Sequence, residues 1–313
     1  MHFDTVVVGG GIAGLQAAIQ LGRSLRTVLV VDDGEGRSLI ARRYRNLLGY
    51  PEGTSGRQLR AAGEEQAKRL GVRFLAAKAT DLRQNEQGMF LVDVTATETP
   101  IEAKTIVLAT GISDLFPGIP GLHDCLGETL FICPDCDGYE TVNRRTVVIG
   151  AGPQAAGLAL VLRYFTDRLA VINHTDEPVS PKVAARLEES GIDMVAAAVK
   201  RIEHRDGHLR AVHLENGEML AAERGFVAFP GAVVNTRLLH RFPVEMLPNG
   251  HVLVNPRTKE TSYRNIWAVG DIVAHSQMVA IAMGDGVQAA VWIHKRLLEE
   301  ASSPVRIPAM PRA

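Results

Sequence analysis

One local pattern occurs twice in this chain, and it constrains the fold more than any other feature. Thr5-Val6-Val7-Val8 is a short β-branched run of the kind buried in a parallel sheet. Gly9-Gly10-Gly11-Ile12-Ala13-Gly14 follows, then an alanine- and leucine-rich helical stretch to about Gly22, then the strand Val28 to Val31, ending on Asp32-Asp33. This is a complete βαβ unit. The second copy starts at Thr146-Val147-Val148-Ile149 and passes through Gly150-Ala151-Gly152 into a helix near Ala155 to Tyr164. It continues in the strand Leu169 to Ile172. Two such units predict an α/β protein with two Rossmann-like dinucleotide-binding domains. The length of 313 residues agrees, being too great for one compact core.

Proline and glycine mark the joints. Phe116-Pro117-Gly118-Ile119-Pro120-Gly121 reads as one boundary and Phe229-Pro230-Gly231 as another. Beyond the second boundary there are strands but no third βαβ unit. Asn265-Ile266-Trp267-Ala268-Val269-Gly270-Asp271 ends a strand beside a Gly-Asp turn suited to hydrogen-bonding a cofactor's sugar chain. The last segment is therefore expected to return and complete the first domain. On this reading residues 1–115 and 244–313 form one discontinuous domain, with residues 116–243 inserted in it. The tail from Ala301, with three prolines, is expected to be extended.

The first glycine loop has the chemistry of a phosphate cradle. Gly9 permits the tight turn, Gly11 lets backbone approach a pyrophosphate, and Gly14 allows close helix–strand packing. Asp32 arrives where an acid accepts hydrogen bonds from an adenosine ribose. A glycine-rich turn alone also serves packing, but here it follows a strand, opens a helix and is paired with an acid.

Cys133-Pro134-Asp135-Cys136 supplies the second piece of chemistry. Two cysteines at this spacing on a first helical turn can close a disulfide, and a helix N-terminus favours the thiolate. Asp137, next in sequence, can hand a proton to a leaving thiolate. Zinc held by His123, Cys125, Cys133 and Cys136 is the competing account, but the spacing is unusual and no second CxxC exists. Inert core cysteines are another, and that reading suits Cys125. The Pro-Asp insert and the following Asp-Gly suit an exposed redox turn.

Composition narrows the remainder. A net charge of −1 gives no electrostatic reason to bind nucleic acid or an anionic membrane. The longest apolar stretch, Met278 to Ile293, is broken by Asp285 and glycines, and Asp4 with Gly9-Gly10-Gly11 interrupts any signal-peptide core. Three cysteines are too few for a disulfide scaffold, so a cytoplasmic setting with one catalytic pair is expected. Trp267 and Trp292 read as core. Arg42-Arg43-Tyr44-Arg45 reads as a solvated face or a patch that steers an acidic partner, and Arg201 to His208 as a surface hairpin. His275 reads as a surface or interface histidine, with approach to a cofactor or a thiol as the sharper alternative.

At this point the chain resembles the low-molecular-weight thioredoxin reductase group, which includes flavin-dependent dithiol oxidases and nicotinamide-independent branches. The matching elements are Gly9 to Gly14, Asn46 within Tyr44-Arg45-Asn46-Leu47-Leu48-Gly49, Ala109-Thr110-Gly111, the CxxC-Asp-Gly, the second glycine loop and Gly270-Asp271. The resemblance implies FAD in a domain built from both ends of the chain, with the CxxC domain inserted. It also implies that Cys136 lies nearer the flavin, that Asp137 is the acid, that the inserted domain rotates to expose the pair, and that the protein is a homodimer. The candidate cofactor contacts are Gly9, Gly11, Ile12, Ala13, Gly14, Asp32, Asp33, Asn46, Ala79, Ala109, Thr110, Gly111, Gly270, Asp271, Gln277, Met278 and Val279, with Gly150, Gly152 and Ala155 at the second loop.

Two departures bear on the electron source. Members that use NADPH carry His-Arg-Arg after the second strand of the inserted domain, whereas this chain has Ile172-Asn173-His174-Thr175. No acid stands at Asn173 for NAD either, although Asp176 and Glu177 follow. The family's Arg-Gln-Ala beside the flavin is Gln277-Met278-Val279 here, which removes a positive charge. The second loop can thus be a packing relic, an atypical NAD(P)H site, or a seat for another dinucleotide such as a second FAD. The leading expectation is that electrons pass through FAD to Cys133–Cys136, which then reduces a disulfide in a small redox protein or low-molecular-weight substrate. The rival is a dithiol oxidase that uses oxygen, and a third reading is a flavin-binding redox sensor.

Overall fold

The computed structural model describes residues 2–300, so the tail from Ala301 lies outside the described residues. Among them no helix is long and apolar enough to cross a membrane. The chain divides into two compact units. The first holds the residues up to Leu39, Leu47–Ser113 and those from Val233 onward; the second holds Ile40–Asn46 and Asp114–Ala232.

The first unit begins with β1 (His2–Val8), α1 (Ile12–Arg23) and β2 (Val28–Asp32), followed by α2 (Gly56–Arg69) and β3 (Arg73–Ala76). Then come β4 (Ala79–Gln84), β5 (Phe90–Val94), β6 (Ile101–Leu108) and the short β7 (Ile112–Ser113). β1 runs parallel to both β2 and β6, and its valines are buried from both faces, which is why the strand needs no polar alternation. The buried Thr5 and Thr105 hydroxyls satisfy each other at 2.9 Å, so the polar pair is tolerated in the core. β4, β5 and the first half of β6 form an antiparallel meander at the edge.

The second unit starts with α3 (Leu122–Cys125), β8 (Leu130–Phe131) and α4 (Pro134–Asp137). It continues with β9 (Thr146–Gly150), α5 (Gly152–Leu162), β10 (Leu169–Asn173), α6 (Pro181–Glu189) and β11 (Asp193–Ala196). An antiparallel ribbon of β12 (Val199–Arg205), β13 (His208–Leu214) and β14 (Met219–Ala221) precedes β15 (Arg224–Ala228). The sheet order β11-β10-β9-β15-β8 is wholly parallel.

The chain re-enters the first unit at β16 (Val233–Val234) and ends with β17 (Ile266–Ala268) and α7 (Val279–Glu299). β17 extends the parallel sheet beside the second half of β6, and α7 packs along α1. Both boundaries differ from the sequence expectation. Residues 233–243 join the first unit, not the second, because β16 pairs with β7 and Leu238, Leu239 and Phe242 bury against Phe90. Ile40–Asn46 leaves the first unit for the second. There the turn at Gly127, with φ +76°, lies so close under the Ile40 carbonyl that no side chain fits between them.

Candidate active site

Cys133 and Cys136 are joined in a disulfide, with Cα atoms 5.3 Å apart. Cys133 is the N-cap of α4 and Pro134 occupies its first turn, a position that needs no N–H donor. The helix has only four residues, so its macrodipole is small. The specific effect is one donor: the Cys136 N–H points at Cys133 Sγ, 3.2 Å away. Such a bond favours charge on that sulfur when the pair is opened. The next residues form a 3-10 turn, Gly138–Thr141. Glycine is required at 138, because a Cβ there would strike the Phe165 ring at 2.6 Å.

Asp137 follows the pair and is half-buried. Burial pushes its carboxyl up to about 6, with Arg45 pulling the value down and Glu140 pushing it further up. A carboxylic acid in this range holds a proton at mildly acidic pH and releases it near neutrality, as general acid–base chemistry requires. Arg45 comes from the 40–46 segment, and its Nε lies 3.5 Å from Glu140 Oε1. The arginine run is therefore divided: Arg42 and Arg43 face solvent while Arg45 turns in.

The first glycine loop is shaped by backbone contacts. Gly9 has φ +107°, and any side chain there would collide with the Ala109 carbonyl; one at Gly14 would collide with the Gly9 carbonyl. Gly11, the N-cap of α1, has nothing within 4 Å of where a Cβ would stand, and Ile12 and Ala13 open the helix beyond it. Its helix N-terminus has no side-chain cap, which leaves N–H groups for an anion. Asp32 ends β2 and accepts from the Gly10 N–H at 2.8 Å and from Arg60 Nη2 at 2.5 Å. Asp33 turns away to solvent, where its carboxylate accepts from the Glu35 N–H at 3.2 Å.

Residues remote in sequence complete this region. Asn235 clamps the Ala109-Thr110-Gly111 turn, its Nδ2 donating to the Thr110 carbonyl at 3.0 Å and its own carbonyl accepting from Thr110 Oγ1 at 2.5 Å. The Gly270 N–H donates to Asp285 Oδ2 at 3.1 Å. Asp285 is only 3% exposed, and it also binds Lys259 Nζ at 2.8 Å and His275 Nε2 at 2.6 Å. His275 is thus a structural partner of α7. Gln277 itself is engaged by an arginine from elsewhere in the first unit. Arg37 Nη1 donates to Gln277 Oε1 at 2.6 Å and lies 3.3 Å from Asp271 Oδ2. Met278 and Val279 cap and open α7.

The second glycine loop differs from the first in one decisive respect. Gly152 holds the place of Gly11 at the start of its helix, yet a Cβ there would strike the Glu177 carbonyl, with Asn173 Nδ2 at 2.9 Å and Val179 Cγ2 at 3.0 Å. Asn173, the last residue of β10 as Asp32 is of β2, turns inward and donates from Nδ2 to that carbonyl at 2.8 Å. Its Oδ1 is buried with no hydrogen-bond partner among the described residues. His174 accepts from the Val199 N–H at 2.9 Å and meets Phe229 edge-on, and burial lowers its pKa, so the ring is neutral. Gly150 fits under the Ala228 carbonyl, and Ala155 is buried in the sheet-facing side of α5.

Several candidates lie away from these clusters. Ala79 opens β4 opposite Val94, in the meander and separated from β1 by β5 and β6. Asn46 is exposed at the end of the excursion. Cys125 is fully buried, its thiol pushed up to about 11 by burial, and it stands apart from the disulfide. Among the described residues no group of three His, Cys, Asp or Glu side chains is placed to hold a metal. Trp267 is in the core, but Trp292 is half-exposed beneath Arg257 and Lys295, whose cations favour its ring face. His204 and His208 sit on the β12–β13 hairpin.

Residues 3–286 match the pyridine nucleotide-disulphide oxidoreductase family. The chain is 30% identical over 298 residues to the thioredoxin reductase of Treponema pallidum, covering 92% of this chain and 95% of that one. The crystal structure of HlmI superposes with a TM-score of 0.85 at 28% identity, covering 96% of this chain and 93% of HlmI. An oxidoreductase from Agrobacterium tumefaciens gives 0.79 at 29% identity, covering 96% of this chain and all (100%) of that one.

Proposed function

The chain belongs to the pyridine nucleotide-disulphide oxidoreductase family, as a thioredoxin reductase-like flavoprotein disulfide oxidoreductase, and we propose that it exchanges electrons between FAD and Cys133–Cys136 without a nicotinamide at its second glycine loop. The observation that carries the exchange chemistry is the disulfide heading α4 with Asp137 beside it, held near the pH at which a carboxyl both gives and takes a proton. FAD suits the first loop: Gly11 is open, Gly10 and Asp32 are fixed to each other, and the N-terminus of α1 lacks a side-chain cap. When bound, FAD supplies a store for one electron pair. The second loop is covered by the chain's own Glu177 carbonyl, and neither an acid nor an arginine pair stands at 173 and 174.

The favoured direction is dithiol oxidation. A substrate thiolate attacks one sulfur of the pair, the S–S bond breaks, and Asp137 protonates the departing thiolate. The second substrate thiol then displaces the first sulfur of the enzyme, releasing substrate disulfide and leaving the pair as a dithiol. Two electrons and two protons have moved to the enzyme. The Cys136 N–H favours charge on Cys133 in the intermediate stage. Oxygen is the terminal acceptor in this reading, and the substrate is a small redox protein or a low-molecular-weight dithiol. The family resemblance adds a homodimer. A reductase fed by another electron carrier is the second reading, favoured by an acid at 137 poised to protonate a substrate thiolate.

Asp137→Asn tests the site. The exchange rate of the wild type should change with a limb near pH 6, and the variant should lose that limb and at least about a hundredfold in rate, the lower end of the usual range for a general acid. A profile of unchanged shape in Asp137→Asn would assign the proton to another group.

A further inference from the structure

We propose that Arg60, on α2, is a positioning residue for FAD. It holds the Asp32 carboxylate in the orientation that accepts from the cofactor's adenosine, and it neutralises that carboxylate beside the loop that takes the pyrophosphate. The proposal rests on the reading that FAD occupies the first glycine loop.

Arg60 spans the end of β2 and the loop that follows it. Its Nη2 donates to Asp32 Oδ2 at 2.5 Å, and its Nη1 donates to the Glu35 carbonyl at 2.8 Å. The other carboxylate oxygen, Oδ1, accepts from the Gly10 N–H at 2.8 Å. Only glycine permits that approach, because a Cβ at Gly10 would stand 2.9 Å from Asp32 Cγ. A fixed helix start delivers the guanidinium. Ser55 and Gln58 form a capping box at the N-terminus of α2, Gly56 lies directly under the Ser38 carbonyl, and α2 packs along α1. The Arg60 and Asp32 side chains are 12% and 21% exposed, so solvent screens the pair only in part.

A carboxylate has about four lone-pair sites, and Gly10 and Arg60 each use one, on different oxygens. The sites left open suit hydroxyl donors, which an adenosine ribose offers. Without Arg60 the side chain is free to rotate. A bare negative charge would also stand beside the helix N-terminus that is to take a pyrophosphate, opposing the anion that the N–H groups attract. The two units solve the same local problem differently. In the second, Asn173 at the strand end itself takes the carbonyl of the following loop, that of Glu177. In the first, Arg60 takes the corresponding Glu35 carbonyl, which leaves Asp32 to face Gly10.

The test measures FAD release from the holoprotein. Serial dilution, with recovery of free-flavin fluorescence as the signal, gives the FAD dissociation constant, and chemical unfolding in saturating FAD gives stability. Arg60→Met should weaken FAD binding by about tenfold or more, the scale of one lost charge-assisted hydrogen bond. Arg60→Lys, which keeps the charge but not the fork of donors, should recover part of that loss. Asp32→Asn should also weaken FAD binding. In the Asp32→Asn background Arg60→Met should cost less than about threefold, because the arginine acts through the carboxylate and the two effects are not additive. A mere strut between α2 and β2 would lower stability in Arg60→Met and leave the dissociation constant unchanged, and that result overturns the proposal. An equal loss of affinity in both backgrounds overturns it as well. If Asp32→Asn binds FAD as tightly as wild type, the placement of FAD at the first loop fails and the proposal falls with it. If Asp32→Asn weakens binding and Arg60→Met does not, the placement stands and the proposal alone fails.

Discussion

Cys133→Ser and Cys136→Ser each abolish dithiol–disulfide exchange, while the purified variants keep their FAD. The reasoning starts from the placement of the pair in the second unit, whereas the proposed cradle at Gly9, Gly11 and Asp32 is in the first. Serine has nearly the volume of cysteine, so the turn between Phe131 and Gly138 keeps its shape. What is lost is the S–S bond, without which there is nothing for a substrate thiolate to attack. The expected fall is to the background rate, on the order of a thousandfold or more for loss of a covalent nucleophilic partner. Stopped-flow measurement with a small dithiol, together with the flavin-to-protein ratio, checks both halves. Exchange persisting in either variant would place the chemistry elsewhere.

Asp285→Ala is expected to destabilise the first unit by about 3–5 kcal/mol, the usual cost of removing one partner from a buried charge cluster. The carboxylate binds Lys259, His275 and the Gly270 N–H at once, and its removal leaves a half-buried ammonium and an unsatisfied backbone donor. Because Gly270-Asp271 hangs from this cluster, flavin content should fall with stability. Chemical unfolding and the flavin-to-protein ratio measure the two effects. The pH dependence has a definite sign. Burial would raise the Asp285 pKa, but His275 and Lys259 hold it below the usual carboxylate value, so its contribution is lost as pH falls through that lowered value. The hydrogen bond to Asp285 raises His275, so the histidine's contribution is present in mild acid and lost as pH rises through its raised value. Wild type should therefore be more stable than Asp285→Ala by the widest margin between these limits. An Asp285→Ala variant as stable as wild type, with full flavin, would refute this account of the cluster.

Much of the architecture was legible because its signals are local. A run such as Val6-Val7-Val8 before Gly9-Gly10-Gly11 can be read within a dozen residues, and so can the CxxC-Asp-Gly. What escaped was carried by side chains that meet across long sequence separations. Nothing near Thr110 announces that Asn235 will clamp it, and nothing near Gly270 announces Lys259 or Asp285. The missing arginine at Gln277 is visible in the sequence, but the hydrogen bond Gln277 accepts from Arg37, in the turn after β2, is not. Trp292 read as core because tryptophan usually is; its helix face is covered by Arg257 and Lys295 instead. The Arg42–Arg45 run read as a surface patch, although the chain path turns its last member inward against Glu140. The covering of Gly152 was not legible either. It depends on Asn173 folding back to Glu177, where Asp32, at the matching strand end, instead holds Gly10.

That contrast between the two glycine loops leads to the most direct test of the account. Purified FAD-loaded protein is titrated anaerobically with NADPH, then NADH, then a dithiol, while the flavin absorbance band is followed. The account predicts no bleaching by either nicotinamide and full bleaching by the dithiol, the latter lost in Cys136→Ser. Prompt, stoichiometric bleaching by NADPH or NADH would contradict it, and would mean that the segment over Gly152 opens to admit a nicotinamide.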